Sequence, residues 1–153
     1  MISIYTDGST RKNGQADAVG AWGFIAVDEE GKIIHREAEG AEGTTNQRME
    51  MTALIEACKW ATRHYSTFTD ICFYSDSAYI INCCKDKWYL KWLTNGWMTS
   101  NNGEVKNIDL WKKLIPFFSQ ANFTFRKVKG HAGDKWNCVI DGIVQEISRS
   151  YLK

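Results

Sequence analysis

A chain of 153 residues with 44% hydrophobic and 24% charged residues has the size and balance of one globular domain, able to bury about two thirds of its unfolded surface. No apolar run approaches the roughly 18 residues of a membrane span and the N-terminus lacks a signal-peptide pattern, so neither an integral membrane protein nor a secreted one is expected. The net charge of +1 conceals an asymmetry: Asp28 to Glu42 holds six acidic residues against two basic, Lys85 to Lys135 ten basic against four acidic, which hints at a polyanion partner.

In chain order, Ile2-Ser3-Ile4-Tyr5-Thr6-Asp7-Gly8-Ser9 alternates as a strand and runs into a carboxylate followed by glycine. A polar, flexible stretch is expected from there through Thr10, Asn13 and Gly14. Val19 to Val27 and Lys32 to His35 form a hairpin turned by Asp28-Glu29-Glu30-Gly31. Thr44 and Gln47 have capping-box spacing, and Met49, Ala53, Leu54, Ala57, Trp60 and Ala61 mark one face of the helix they would open. Ile71-Cys72-Phe73-Tyr74-Ser75-Asp76 repeats the first strand's ending, Tyr-(Thr/Ser)-Asp, and a short helix through Tyr79, Ile80 and Cys83 follows.

The stretch 88–107 stands apart, with Trp88, Trp92 and Trp97 ahead of Ser100-Asn101-Asn102-Gly103. Ile108 to Phe118 reads as a helix stopped or bent at Pro116, Asn122 to Val128 as a strand, Gly130-His131-Ala132-Gly133 as a glycine-rich loop, and the chain from about Trp136 as a last helix. This order predicts a single α/β domain over 1–153, a mixed sheet flanked by helices. The five cysteines, odd in number and without a CxxC pair, read as buried reduced thiols of a cytoplasmic protein and not as a zinc site.

If the two strands ending in Asp7 and Asp76 lie side by side and parallel, both acids sit at their carboxyl ends, where open α/β sheets place their sites. Glu50, early on the first long helix, and Asp141, set among Val139, Ile140, Ile143 and Val144, are candidates to join them. Two bare carboxylates about 4 Å apart repel by roughly 4 kcal/mol at an effective dielectric near 20, so a quartet needs cations. An oxygen-only donor set points to Mg²⁺ or Mn²⁺.

Taken together, Tyr5-Thr6-Asp7-Gly8-Ser9, Thr45-Asn46-Gln47-Arg48-Met49-Glu50, Ser75-Asp76-Ser77, Asn107-Ile108-Asp109-Leu110-Trp111 and Val128-Lys129-Gly130-His131-Ala132-Gly133, with Asn137 and Asp141, resemble type 1 ribonuclease H over essentially the whole chain. The resemblance implies a five-stranded mixed sheet, the first three strands antiparallel and the first, fourth and fifth parallel. It implies endonucleolytic hydrolysis of the RNA strand of RNA/DNA hybrids, leaving 3′-hydroxyl and 5′-phosphate ends; for the oligomeric state, monomer is the default expectation. Asp7, Glu50, Asp76 and Asp141 would hold two divalent ions, one generating the attacking hydroxide and the other stabilising the leaving oxygen, with His131 assisting proton transfer or product release. By the same resemblance Thr10, Asn13, Asn46 and Gln47, with Glu50, would line the RNA minor groove, where the 2′-hydroxyl marks the strand as RNA. Thr45 and Asn107 would hold a DNA phosphate, and Tyr79, Trp88, Trp92 and Ser100 would meet the DNA sugar edge. Trp97 and Trp111 are expected in the core. Two departures from the family stand out: no proline-glycine string follows Asp7, and the handle-like region reads Leu93-Thr94-Asn95 where many relatives carry a basic cluster.

Overall fold

The computed structural model describes residues 1–11, 15–99, 101, 103–128 and 135–150. Asn13, Ser100 and His131, with the rest of the 129–134 loop, lie outside the described residues. Strands β1 (Ile2–Arg11), β2 (Val19–Val27) and β3 (Ile33–Glu42) are followed by helix α1 (Asn46–His64) and strand β4 (Ile71–Ser75). Helices α2 (Ala78–Asp86), α3 (Trp88–Asn95) and α4 (Ile108–Phe118), strand β5 (Phe123–Lys127) and helix α5 (Lys135–Ser150) complete the order. The five strands form one sheet in the order β3-β2-β1-β4-β5. β1, β2 and β3 pair antiparallel, whereas β4 runs parallel to both β1 and β5, as the family resemblance implied.

The core lies mainly on one face of the sheet. Phe24, Phe73 and Ile4 meet Met51, Leu54 and Ala57 of α1, and Trp111 and Leu114 of α4 close the layer, all of them without solvent exposure. Burying each such large side chain contributes roughly 1.5–3 kcal/mol, so this layer holds α1 and α4 to the sheet. A smaller cluster occupies the other face, where Ile140 and Val144 of α5 pack on Ala21, Ile25 and Val27. The five cysteines are free, three of them buried, and burial pushes the Cys83 and Cys84 thiols up to about 12 and about 11.

Local details depart from the sequence reading in five places, the first being β3, which runs past His35 to Glu42 because Arg36 to Glu42 continue the ladder with β2. β1 does not give way to a polar loop after Asp7; Asp7 to Arg11 pair with Gly23 to Val19, and those ladder bonds hold polar residues in the strand. The N-cap of α1 is Thr45, not Thr44: Thr45 is extended and its hydroxyl accepts from the Arg48 amide, while Thr44 is buried with its methyl near Gly20. α4 runs through Pro116 to Phe118, because the helix has only two residues left to build and Pro116 and Lys112, whose carbonyl loses its donor, both face solvent. The tryptophan-rich stretch contains α3, entered and left through the left-handed residues Lys87 and Gly96.

Candidate active site

The site is assembled by two backbone coincidences. Tyr5 of β1 lies opposite Tyr74 of β4, so the same parallel register continued by two residues sets Asp7 beside Asp76 at the end of β4. Gly8 then lets α1 approach. A β-carbon on Gly8 would lie 2.3 Å from the Glu50 amide nitrogen and 2.3 Å from the Met49 carbonyl carbon, a contact no side chain tolerates. Only glycine permits this crossing, and the crossing delivers Glu50 to the two aspartates. On the other face Gly23, the ladder partner of Asp7, leaves room for Ile140 of α5, to which a β-carbon would come within 3.0 Å. That helix carries Asp141, whose carboxyl hydrogen-bonds Asp7.

Oxygens of Asp7, Glu50 and Asp76 all lie within 4.8 Å of one another. Asp7 is only 4% exposed, Glu50 half-buried and Asp76 open to solvent. Asp141 joins through Asp7 and not as a mutual neighbour of the three. Burial, then the charge of Asp76 and a hydrogen bond that the protonated Asp7 carboxyl donates to Asp141, raise the Asp7 carboxyl to about 8; the Gly8 amide alone pulls the other way. Glu50 is pushed well above the usual carboxylate range, first by burial and then by Asp76 and Asp7. Asp7 Oδ2 and Glu50 Oε2 are buried and reach no donor among the described residues. Buried carboxylate oxygens without a proton donor, in an oxygen-only set, suit a hard divalent cation.

Around this centre the other expected residues fall into two groups. Thr10 lies on β1 just beyond Asp7, Asn46 and Gln47 open α1 in the turn before Glu50, and the Thr10 hydroxyl is buried with no partner among the described residues. Gln47 hydrogen-bonds the Tyr79 hydroxyl, which links this side to a second groove. Of about 480 Å³, that groove is lined by Tyr79, Trp88, Lys91, Trp92, Asn95 and Thr99. Tyr79 is exposed and packs edge-on to Trp111; Trp88 is half-buried. Trp92 is 7% exposed and leans on Trp97 and Trp111, so it offers the groove an edge while belonging mostly to the core. Trp111 is fully buried and Trp97 packs against the core, as expected.

Sequence reasoning missed what positions Thr45 and Asn107. The Arg48 guanidinium meets Asp109 through two parallel hydrogen bonds of 3.0 and 2.8 Å, and its Nη1 also donates to Asn107 Oδ1 at 3.1 Å. That fork ties the start of α1 to the start of α4 and holds Asp109 down to about 2. Arg48 and Asp109 both sat inside quoted motifs, but a contact spanning 61 residues leaves no local signal.

The comparisons agree with this geometry. The RNase H family model matches residues 1–149. The ribonuclease H of Caldicellulosiruptor saccharolyticus is 42% identical over 152 residues, covering 99% of this chain and 96% of that one. The crystal structure of LC9-RNase H1, described as a type 1 RNase H with the type 2 active-site motif, superposes with a TM-score of 0.78 at 26% identity, covering 98% of this chain and 72% of that one. A foamy viral protease-reverse transcriptase solved with an RNA/DNA hybrid shares the fold at a TM-score of 0.83 and 19% identity, over 97% of this chain and 20% of that one. With its sheet order, its carboxylate cluster and the match along nearly its full length, the chain belongs to the ribonuclease H family, type 1.

Proposed function

We propose that the protein is an endoribonuclease that hydrolyses the RNA strand of RNA/DNA hybrids with two divalent cations, leaving 3′-hydroxyl and 5′-phosphate ends. Membership of the family makes it an enzyme, a nuclease of such hybrids. The observation that carries the finer reading is the carboxylate cluster: three acids within 4.8 Å of one another, two with buried oxygens that no donor among the described residues satisfies.

Asp7, Glu50, Asp76 and Asp141 would hold the ions, Mg²⁺ by donor chemistry, with Mn²⁺ as the alternative. Such ions supply a deprotonated water at neutral pH and neutralise charge on the leaving oxygen. The protein's own share is positioning. Thr10, Asn13, Asn46 and Gln47 would meet 2′-hydroxyls, since amides and hydroxyls both donate and accept. Thr45 and Asn107, braced by Arg48, would hold a DNA phosphate and fix the register of the duplex. Tyr79 and Trp88, with an edge of Trp92, would take the DNA sugar edge in the second groove, with Ser100 beside Thr99. His131, in the glycine-flanked stretch that matches the family pattern, would carry a proton near neutral pH.

No helix of the described residues is long and apolar enough to cross a membrane. We read the chain as a single catalytic domain acting as a monomer, and its five free cysteines favour a cytoplasmic setting. The test is one assay with labelled RNA/DNA hybrid, duplex RNA and duplex DNA in parallel, with and without Mg²⁺. Cleavage of the hybrid's RNA strand alone, abolished by chelator, is expected. Equal cleavage of duplex RNA, or cleavage without a divalent ion, would overturn the reading.

A further inference from the structure

The second face of the sheet is covered unevenly. α5 packs on β1, β2 and β3, and the same face of β4 and β5 opens into a cleft of about 860 Å³. Ligand sites typically occupy about 300–1,000 Å³, so this one is large enough for a nucleotide. Its floor is a cross-strand row. Tyr5 pairs with Tyr74, and Tyr74 pairs with Arg126, which sets three side chains abreast on neighbouring strands. The two tyrosine rings stack with centroids 4.7 Å apart and planes 9° from parallel. Tyr5 covers one face of Tyr74, so the other face turns toward β5, which supplies Thr124 and Arg126 in place of a third ring.

The charge on the cleft has one sign. Lys85 comes from α2 and Arg126 and Lys127 from β5, and among the described residues no carboxylate lines it. Among the described residues none of these three cations has an ion-pair partner, although Arg126 reaches the Cys72 thiol. Asn82 adds an amide. Asp7 and Asp76 lie two residues beyond Tyr5 and Tyr74 on the same strands, about 7 Å on, so the cleft begins beside the carboxylates. A bare phosphate has no use for a ring stack, and a lipid headgroup brings no flat ring to extend one. A nucleoside phosphate uses both the aromatic face and the cations.

We infer that this cleft binds one unpaired nucleotide unit, its base extending the Tyr5–Tyr74 stack and its phosphate held by Arg126 and Lys85, apart from the groove of Tyr79, Trp88 and Trp92. The unit is either a free nucleotide or the end of a single strand leaving the neighbouring centre. Binding there requires no cleavage, so it is measured in chelator and stands or falls separately from the proposed activity.

The experiment is fluorescence anisotropy of a labelled, 5′-phosphorylated tetranucleotide RNA with the full chain, at several salt concentrations and with adenosine monophosphate as competitor. Arg126→Glu with Lys85→Glu should weaken binding at least tenfold and make the log–log salt slope shallower by about 1.4, two single-strand phosphate contacts at ~0.7 each. Tyr74→Leu, which keeps apolar volume and removes the ring, should weaken binding about tenfold. Reversing Arg63 and Lys113, exposed on α1 and α4, should change it less than twofold. Circular dichroism of each variant checks the fold. Competition by the mononucleotide assigns the site to free nucleotides and its failure assigns it to strand ends, and either supports a nucleotide site. The inference is overturned if wild type does not bind, if the cleft variants bind as wild type does, or if the Arg63 and Lys113 control weakens binding equally. It is also overturned if the cleft variants lower kcat for a blunt hybrid, measured at saturating substrate where steering no longer counts, by more than twofold, since the cleft would then belong to the hybrid path.

Discussion

Asp7 is where the site works against the fold. Its carboxyl titrates near 8 in the folded chain but near 3.8 when unfolded, because burial and neighbouring acids disfavour its charge. Between those values the folded state keeps a proton that the unfolded state has released. Stability of the metal-free protein should therefore fall as pH rises from about 4 to 8, and Glu50 pushes in the same direction. Asp7→Asn removes the burden. Thermal unfolding in chelator at pH 8 should show the variant more stable than wild type by on the order of 1 kcal/mol or more, with a smaller difference at pH 5 and no hybrid cleavage at either. A variant less stable than wild type at pH 8 would contradict the assignment of strain to this carboxyl.

Gly8 makes the complementary case at the same scale. Gly8→Ala pushes a methyl into the α1 backbone at 2.3 Å, where no flexible side chain is available to yield. Denaturant titration should show a loss of about 1–3 kcal/mol, and hybrid cleavage should fall further than the unfolded fraction explains, because Glu50 moves with the helix. The pairing of Asp7 with Asp76 was legible in the sequence because two strands share one ending and the parallel register did the rest. Glu50 was legible only through the family pattern, since what places it is a backbone contact between Gly8 and a helix 40 residues on.

Among the elements, α1 does most of the assembling. Its first turn carries Asn46, Gln47 and Glu50, its cap is Thr45, and Arg48 binds it to α4. The one-residue error at the cap arose because Thr44 and Thr45 are chemically alike and only burial separates them. α3 and the turn after it are the counterpart on the other side of the groove. There Leu93-Thr94-Asn95 stands where many relatives carry a basic cluster, but Asn95 closes the turn: its amide donates to the Met98 carbonyl and its oxygen accepts from the Met98 amide. Leu93 is 55% exposed and, with Thr94, is the better place for new cations. Leu93→Lys with Thr94→Lys should lower KM for hybrid at moderate salt and steepen its salt dependence by up to about 0.9 per new phosphate contact, with kcat little changed. Steady-state titration at several salt concentrations checks this, and an unchanged KM would mean that α3 does not meet the DNA strand.

Over the whole molecule the charge asymmetry acquires a direction. The acidic segment becomes the β3 edge of the sheet and its preceding turn, while the basic residues gather at the β5 edge, α2 and the stretch after it. A polyanion is thus drawn to one side of the carboxylate centre and kept from the other. Strand order and the parallel pairings were legible as a family expectation, whereas the row Tyr5–Tyr74–Arg126 was not, because it exists only once β5 is in register with β4. The central claim is that chemistry rests on the carboxylate cluster and hybrid binding on the grooves around it. Its most direct measurement is Asp76→Asn, assayed for RNA-strand cleavage at saturating hybrid in Mg²⁺ alongside hybrid affinity. Asp76 is exposed and neighbours Asp7 and Glu50, so the substitution leaves the core intact while removing one donor. Cleavage should fall by about a thousandfold or more, with Kd for hybrid within a few-fold of wild type. A variant that still cleaves at a rate near wild type would contradict the account.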